Sequence, residues 1–366
     1  MKKKILFLYY TQFGYHTDLY MYGKYLNSQK YKVHYFCFDL NLPKIDLNNV
    51  EVHYQPLTSH RISNYLKYFY NLNKLLNKEK FDVIFHVDSR YPLIIRILNL
   101  FKPIILDIRS GDLSRNKYKL WIKNKKIAFS TRYYRNVSII SESLRDTLNL
   151  DRNKTKIIPL GAEKLLTKTK DFQQIQLFYI GSIDHRNIQE TIIGLSLYLK
   201  SEKAFQNISY DIVGFGKPNA VDQLNNTIIS EGLSNKVVFH GRKKIDELFF
   251  FFEKCNIGIA YLPQTKSYDC QPVTKLFEYL LAGMPVIATN TLENRLVMKP
   301  EFGEITEDNP IDFAKSLEKI ILYREKYNSE QIKESCAEFE WKNIVKDKLE
   351  PYLESILGSS VPINNR

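Results

Sequence analysis

Two hydrophobic patterns alternate along this chain. Short continuous apolar runs, the mark of strands buried on both faces, give way to segments whose apolar positions recur every three to four residues, the mark of amphipathic helices. The first series of predicted strands is Lys4–Tyr10, Tyr31–Phe38, Val50–Tyr54, Phe81–Val87, Pro103–Ile108, Val137–Ile140 and Thr155–Ile158. Helical periodicity falls between them near Leu19–Leu26 and Ile62–Leu76. A charged, irregular stretch around Lys164–Gln174 reads as a linker. A second series follows: strand Leu177–Ile180, helix Ile188–Leu199, strands Ser209–Val213 and Lys236–Phe239, helix Lys244–Phe252, strand Ile257–Ala260. Trp341–Leu357 closes the chain as an amphipathic helix, after a helical run from Pro310. Strands alternating with helices predict parallel sheets, so the pattern implies two doubly wound α/β domains, 1–165 and 174–340.

The stretch richest in chemistry is YDCQPVTKLFEYLLAGMPVIATN, Tyr268 to Asn290. A polar loop leads into a helix with Leu276, Phe277, Leu280 and Leu281 on its apolar face. Gly283 stands where a helix ends in a left-handed turn, and Val286–Ala288 reads as a buried strand. Lys275 and Glu278, three apart at the helix start, share a face. Unpaired N–H groups and the positive dipole end lie there too. A lysine beside a helix N-terminus suits a diphosphate, and a neighbouring carboxylate suits a sugar hydroxyl; the same pair also fits a solvated surface ion pair.

The string KLFEYLLAGMPVIAT closely resembles the donor-site motif of retaining glycosyltransferases of family 4, which have the GT-B fold. The resemblance covers nearly the whole chain, densest over Phe178–Asn290. It implies two facing Rossmann-like domains with the active site in the cleft: an N-terminal acceptor domain, a C-terminal donor domain, and a last helix, about 341–366, crossing back onto the first. It gives Glu278 the contact to the donor ribose and Lys275 a role at the diphosphate or at the helix start. Many members carry a glutamate eight residues before Glu278, where this chain has Cys270. Asp269 and the backbone at Cys270 and Gln271 are then the candidates for contact with the transferred sugar. FYIGSIDHRN, Phe178 to Asn187, resembles the first loop of the donor domain; it offers Gly181 for close backbone approach and Arg186 for bidentate bonds to phosphate.

Charge sharpens this reading. The 366 residues carry +13, and the excess is lopsided: residues 1–165 hold 29 Lys and Arg against 13 Asp and Glu. Such asymmetry points to a polyanion or an anionic membrane surface. No zinc-finger spacing, helix-turn-helix signature or aromatic RNA-binding motif is present, so nucleic acid is not the expected partner. Residues 115–135, RNKYKLWIKNKKIAFSTRYYR, hold eight basic residues and no acidic one, interleaved with Tyr118, Trp121, Tyr133 and Tyr134. That composition suits an anionic membrane surface or a solvated basic helix. Cysteines 37, 255, 270 and 336 show no CxxC spacing, which argues against disulfides or cysteine-bound zinc. The start MKKKILFLYY is too short in apolar length for a signal segment, and a cytoplasmic protein, with peripheral membrane contact as an alternative, is expected.

In the first domain, Gly14 is a candidate for backbone approach to the diphosphate, and His16 either contacts the acceptor or caps the next helix. Asp88 and Arg90, in DSRYP, and Asp107, Arg109 and Asp112, in DIRSGD, follow strands and should face the ligand. Arg109 fits a charged acceptor, while Asp107 equally fits a buried carboxylate paired with an arginine. The resulting expectation is transfer of a sugar from a UDP- or GDP-linked donor to a glycan or lipid-linked acceptor, with retention. Arg186, Lys275 and Glu278 are the catalytic candidates. No cofactor is required, and no DxD-like pair calls for a metal. A sugar-nucleotide epimerase on the same architecture and a catalytically inactive nucleotide-binding scaffold remain alternatives.

Overall fold

The computed structural model describes residues 2–99, 102–112, 116–165 and 167–358. The chain divides into two compact units, one formed by residues 1–160 with 341–366 and the other by residues 161–340.

In the first unit, β1 (Lys3–Leu8), β2 (Tyr31–Asp39), β3 (Val50–Pro56), β4 (Val83–Val87), β5 (Ile104–Ile108), β6 (Asn136–Ile139) and β7 (Thr155–Ile157) form one sheet, ordered β3-β2-β1-β4-β5-β6-β7. Every pairing is parallel. The connections carry α1 (Thr17–Tyr25), α2 (Arg61–Lys78), α3 (Pro92–Leu98), α4 (Lys117–Thr131) and α5 (Glu142–Thr147). Strand order reverses between β1 and β4, and the loops leaving those two strands hold Gly14, His16, Asp88 and Arg90. Parallel strands buried on both faces need two covering layers, and the C-terminal residues supply part of one. Trp341, Ile344, Leu349 and Leu353 are buried in this core. Trp341 meets Tyr22 edge to face at 5.9 Å, which makes its role packing.

The second unit repeats the plan with β8 (Ile175–Ser182), β9 (Ile208–Phe215), β10 (Val237–Phe239), β11 (Ile257–Ala260), β12 (Val286–Thr289) and β13 (Gly303–Thr306), ordered β10-β9-β8-β11-β12-β13. Its helices are α6 (Ile188–Leu199), α7 (Pro218–Ser230), α8 (Ile245–Lys254), α9 (Lys266–Asp269), α10 (Thr274–Leu281), α11 (Leu292–Val297), α12 (Pro310–Leu322) and α13 (Ser329–Ser335). The order reverses between β8 and β11, the place where open α/β sheets present ligand sites beyond the strand ends.

The stretch expected as a linker belongs to this second unit. Thr167 and Lys170 are buried; the Thr167 hydroxyl donates to the Ala282 carbonyl at 2.8 Å, and the Lys170 ammonium donates to the Phe252 carbonyl. Its charges misled the reading because a lysine can bury its stem and end on a carbonyl. The short helices α3 and α9 and the strand β13 were not foreseen, since four to seven residues carry too little periodicity to register.

Candidate functional site

At the carboxyl end of β8, alternation places Tyr179 and Gly181 on one face. Gly181 has φ +136, and a Cβ there would lie 3.4 Å from the Lys275 Nζ, so glycine leaves room for the lysine beside the strand end. Lys275 comes from the first turn of α10. That helix is seated by Tyr279, whose hydroxyl accepts from the Ile180 N–H at 2.9 Å. Its far end is a Schellman turn: the Gly283 N–H donates to Leu280 and the Met284 N–H to Tyr279, with Gly283 at φ +70. No side chain caps its N-terminus.

Lys275 is only 8% exposed, and its Nζ lies 3.8 Å from the centroid of the Tyr179 ring. It has no hydrogen-bond partner among the described residues, and neither has the Nη1 atom of Arg186. Arg186 leaves the loop after β8 and stacks over Tyr268, its guanidinium carbon 4.6 Å from the ring centroid. Its neighbours His185 and Asn187 both hold left-handed backbone, at φ +58 and +53. Such strain persists where the surrounding structure dictates it, often at functional sites. Burial, reinforced by Arg186, pushes the Lys275 pKa well below the usual lysine range, and Glu278 only partly offsets this. Burial also raises the Glu278 carboxyl, against the pull of Lys275. The result is two cations braced on aromatic faces, a partly exposed carboxylate, and two uncapped helix N-termini, those of α6 and α10. Buried donors of this kind are costly without an acceptor, and a diphosphate supplies several.

The structure thus brings together Gly181, Arg186, Lys275 and Glu278. Asp269 is committed elsewhere: its Oδ1 accepts from the Leu292 N–H at 2.7 Å, at the start of α11. The backbone N–H groups of Cys270 and Gln271 both point to the Tyr268 carbonyl, and the Cys270 side chain is buried. In the free chain these N–H groups make local turn bonds, as a four-residue helix satisfies its own ends. Tyr179 and Tyr268 went unnamed in the sequence. The alternation of FYIG, which puts Tyr179 on the Gly181 face, was the available signal; nothing local marked Tyr268.

Among the candidates of the first unit, Arg109 is corrected most clearly. Its side chain is buried between Asp18 and Asp107 and donates to the Ile158 carbonyl at 2.9 Å. It is an internal cation that ties α1 to the ends of β5 and β7, and cannot reach an acceptor. Asp107 is its buried carboxylate, accepting from the Ser138 hydroxyl at 2.6 Å. His16 is the N-cap of α1, its Nδ1 accepting from the Leu19 N–H, so the capping alternative holds. Gly14 has φ +91, and a Cβ would clash with Ile45 at 2.5 Å, which gives that glycine a packing reason. Asp88 and Asp112 do meet: with Ser89, Lys123, Lys126 and Ser130 they line a cavity of about 220 Å³. Burial pushes the Asp88 carboxyl up to about 6. Arg90 is exposed and lies outside this lining.

Two Rossmann-like units, each with a reversal of strand order, define the architecture of GT-B proteins. Sucrose-phosphate synthase from Thermosynechococcus elongatus superposes with a TM-score of 0.78 at 15% identity, over 98% of this chain and 100% of that one. Anabaena Alr3699/HepE, solved in complex with UDP and glucose, gives 0.73 at 14% identity over 96% and 100%. The profile of glycosyltransferase family 4 matches residues 14–163, and that of the glycosyl transferases group 1 matches residues 167–335. The chain belongs to the family 4, group 1 glycosyltransferases. It is also 35% identical over 86 residues to TuaH of Bacillus subtilis (strain 168), a glycosyltransferase assigned to teichuronic acid biosynthesis; the match spans 22% of that relative's length.

Proposed function

We propose that this chain is a retaining glycosyltransferase that moves a sugar from a nucleotide-sugar to the hydroxyl of a lipid-linked or surface-polysaccharide acceptor. The observation that carries the reading is the pair of buried donors, Lys275 Nζ and Arg186 Nη1, beside the strand end at Gly181. The difficulty of the reaction is charge growing on a departing nucleoside diphosphate. Preorganised cations and helix N-termini stabilise that charge more in the transition state than in the ground state. Glu278 takes the ribose. The bond from the anomeric carbon to the phosphate oxygen breaks while a bond to the acceptor oxygen forms on the same face. The freed phosphate oxygen takes the acceptor's proton, so no separate base is required, and Arg186 and Lys275 carry the charge stabilisation that a metal would otherwise supply. Asp88, Asp112 and Lys126 in the first unit form the pocket that takes the acceptor, and Asp88 is placed to accept a hydrogen bond from one of its hydroxyls.

A surface-glycan acceptor is supported by two things. TuaH, matched over 22% of its length, is described as a teichuronic acid biosynthesis glycosyltransferase. The basic helix α4 also exposes Tyr118, Trp121, Ile122 and Phe129 among its lysines, a combination that seats on anionic lipid.

Replacing Arg186 or Lys275 with Ala should cut acceptor-dependent release of nucleoside diphosphate by about 100-fold, with the fold intact by circular dichroism. Near-normal turnover in both variants would sink the mechanism. Nucleotide release by the wild type that is indifferent to acceptor would point to an epimerase-type reaction.

A further inference from the structure

Parallel pairing of β2 and β3 sets His34 opposite Glu51 and Phe36 opposite His53. Since side chains alternate with a period of two, His34, Glu51 and His53 project from the same face of the sheet. The two imidazoles stack, planes 5° apart, and His34 Nδ1 lies 3.1 Å from His53 Nε2. Glu51 brings its carboxylate to both: Oε2 is 3.8 Å from His34 Nδ1, and Oε1 is 3.7 Å from His53 Nε2. Glu79, the residue capping the end of α2, faces the other nitrogen of the His34 ring at 3.8 Å. That nitrogen, His34 Nε2, is wholly buried and has no hydrogen-bond partner among the described residues.

We propose that His34, His53 and Glu51 form a divalent transition-metal site, most suited to Zn²⁺, that ties the edge strand β3 to β2. Two ligands each about 2.05 Å from a tetrahedral zinc stand about 3.3 Å apart; the two ring nitrogens stand 3.1 Å apart, Glu51 Oε1 is 3.7 Å from His53 Nε2, and one ligand atom from each of His34, Glu51, His53 and Glu79 lies within 4.8 Å of the others. Two imidazoles and one carboxylate, with water as fourth ligand, are a donor set that zinc takes readily. With the metal on Nδ1, the ring proton of His34 must sit on Nε2, where Glu79 faces it: the outer carboxylate that orients a metal-bound histidine. Lys32 and Lys4, at 2.8 and 3.0 Å from Glu51 and Glu79, offset the charge of the two carboxylates. Glu51 keeps its second oxygen for the metal. The site belongs to the first unit and shares no residue with the donor site, so it is structural.

The test uses the untagged full-length chain, stripped with a chelator and titrated with Zn²⁺ against a chromophoric competitor, with Co²⁺ as spectroscopic probe. One equivalent of Zn²⁺ should bind and raise the melting temperature, and Co²⁺ should show the intense visible bands of a four-coordinate site. His53→Gln and Glu51→Gln, both at positions reached by solvent, should fold and lose at least about 10-fold in affinity. Glu79→Gln should lose about 10-fold through the orienting bond alone. Lys275→Ala should bind Zn²⁺ as the wild type does, whatever happens to its turnover. A wild type that leaves Zn²⁺ with the competitor, or His53→Gln and Glu51→Gln variants that bind it undiminished, overturns the proposal.

Discussion

Lys275 is costly to the free protein, and the proposed diphosphate complex would remove that cost. Its Nζ is buried without a hydrogen-bonding acceptor, and its pKa is pushed down by burial and by Arg186. In the unfolded chain the same group titrates near the usual lysine value. Between the depressed and the ordinary value, the unfolded state binds more protons, so stability of the free protein rises with pH through that window. Binding a diphosphate has the opposite linkage. The anion restores the ammonium, the complex takes up a proton, and affinity falls as pH rises above the depressed value. UDP titrations in buffers of different ionisation enthalpy should therefore reveal proton uptake. That uptake should vanish in Lys275→Met, a variant that is also more stable than wild type by about 1–3 kcal/mol in urea unfolding. Proton-neutral binding by the wild type would count against the assignment. Arg109 illustrates the reverse case: a cation buried against Asp18 and Asp107 and donating to the Ile158 carbonyl is engaged inside the fold.

At the scale of elements, the donor site depends on where α10 begins, and that is decided at both of its ends. Tyr279 holds its middle against β8 through the Ile180 N–H. Gly283 fixes the exit, where a Cβ would come within 2.9 Å of Ser329 and closer still to Lys333. Gly283→Ala meets both a left-handed backbone, costing about 1–2 kcal/mol, and a crowded neighbour. Denaturant unfolding should show at least that loss, and because the helix shifts, the variant should bind UDP more weakly than its residual fold explains. An unchanged midpoint would show that the turn adapts. The GMPVIAT sequence announced this turn plainly. The loop after β8 was less legible: Arg186 was foreseen, but its brace Tyr268 reaches it from 82 residues away in sequence.

For the molecule as a whole, half of the net basic excess of the first 165 residues falls within residues 115–135, the stretch that contains α4. In α4 only Ser130 is buried, while Tyr118 is 70% and Trp121 58% exposed. Ile62, Leu66 and Tyr70 form a second exposed apolar row, along α2 of the same unit. Aromatic side chains held in water beside lysines are poorly placed for a protein that meets only solvent, and well placed for a lipid interface. Among the described residues no helix is long and apolar enough to cross a membrane. Reversing Lys123, Lys125 and Lys126 to Glu should reduce cosedimentation with anionic liposomes by about 10-fold or more, at roughly 1 kcal/mol per charge reaching the surface. Unchanged sedimentation would remove the membrane from the reading.

Sequence alone determined the architecture and the grouping of residues at the candidate donor site, because both rest on local order. Buried parallel strands and amphipathic helices write their periods into consecutive residues, and the lysine, glutamate and glycine of α10 lie within nine positions of one another. Tertiary structure decided whatever depended on partners distant in the chain. It turned Arg109 inward, gave Asp269 to the start of α11, folded the charged stretch before Gln174 onto the second unit, and set tyrosines beneath Lys275 and Arg186. It also gathered His34, Glu51, His53 and Glu79 at one place. Strand register and helix packing choose those neighbours, and neither is expressed in the spacing of residues along the chain.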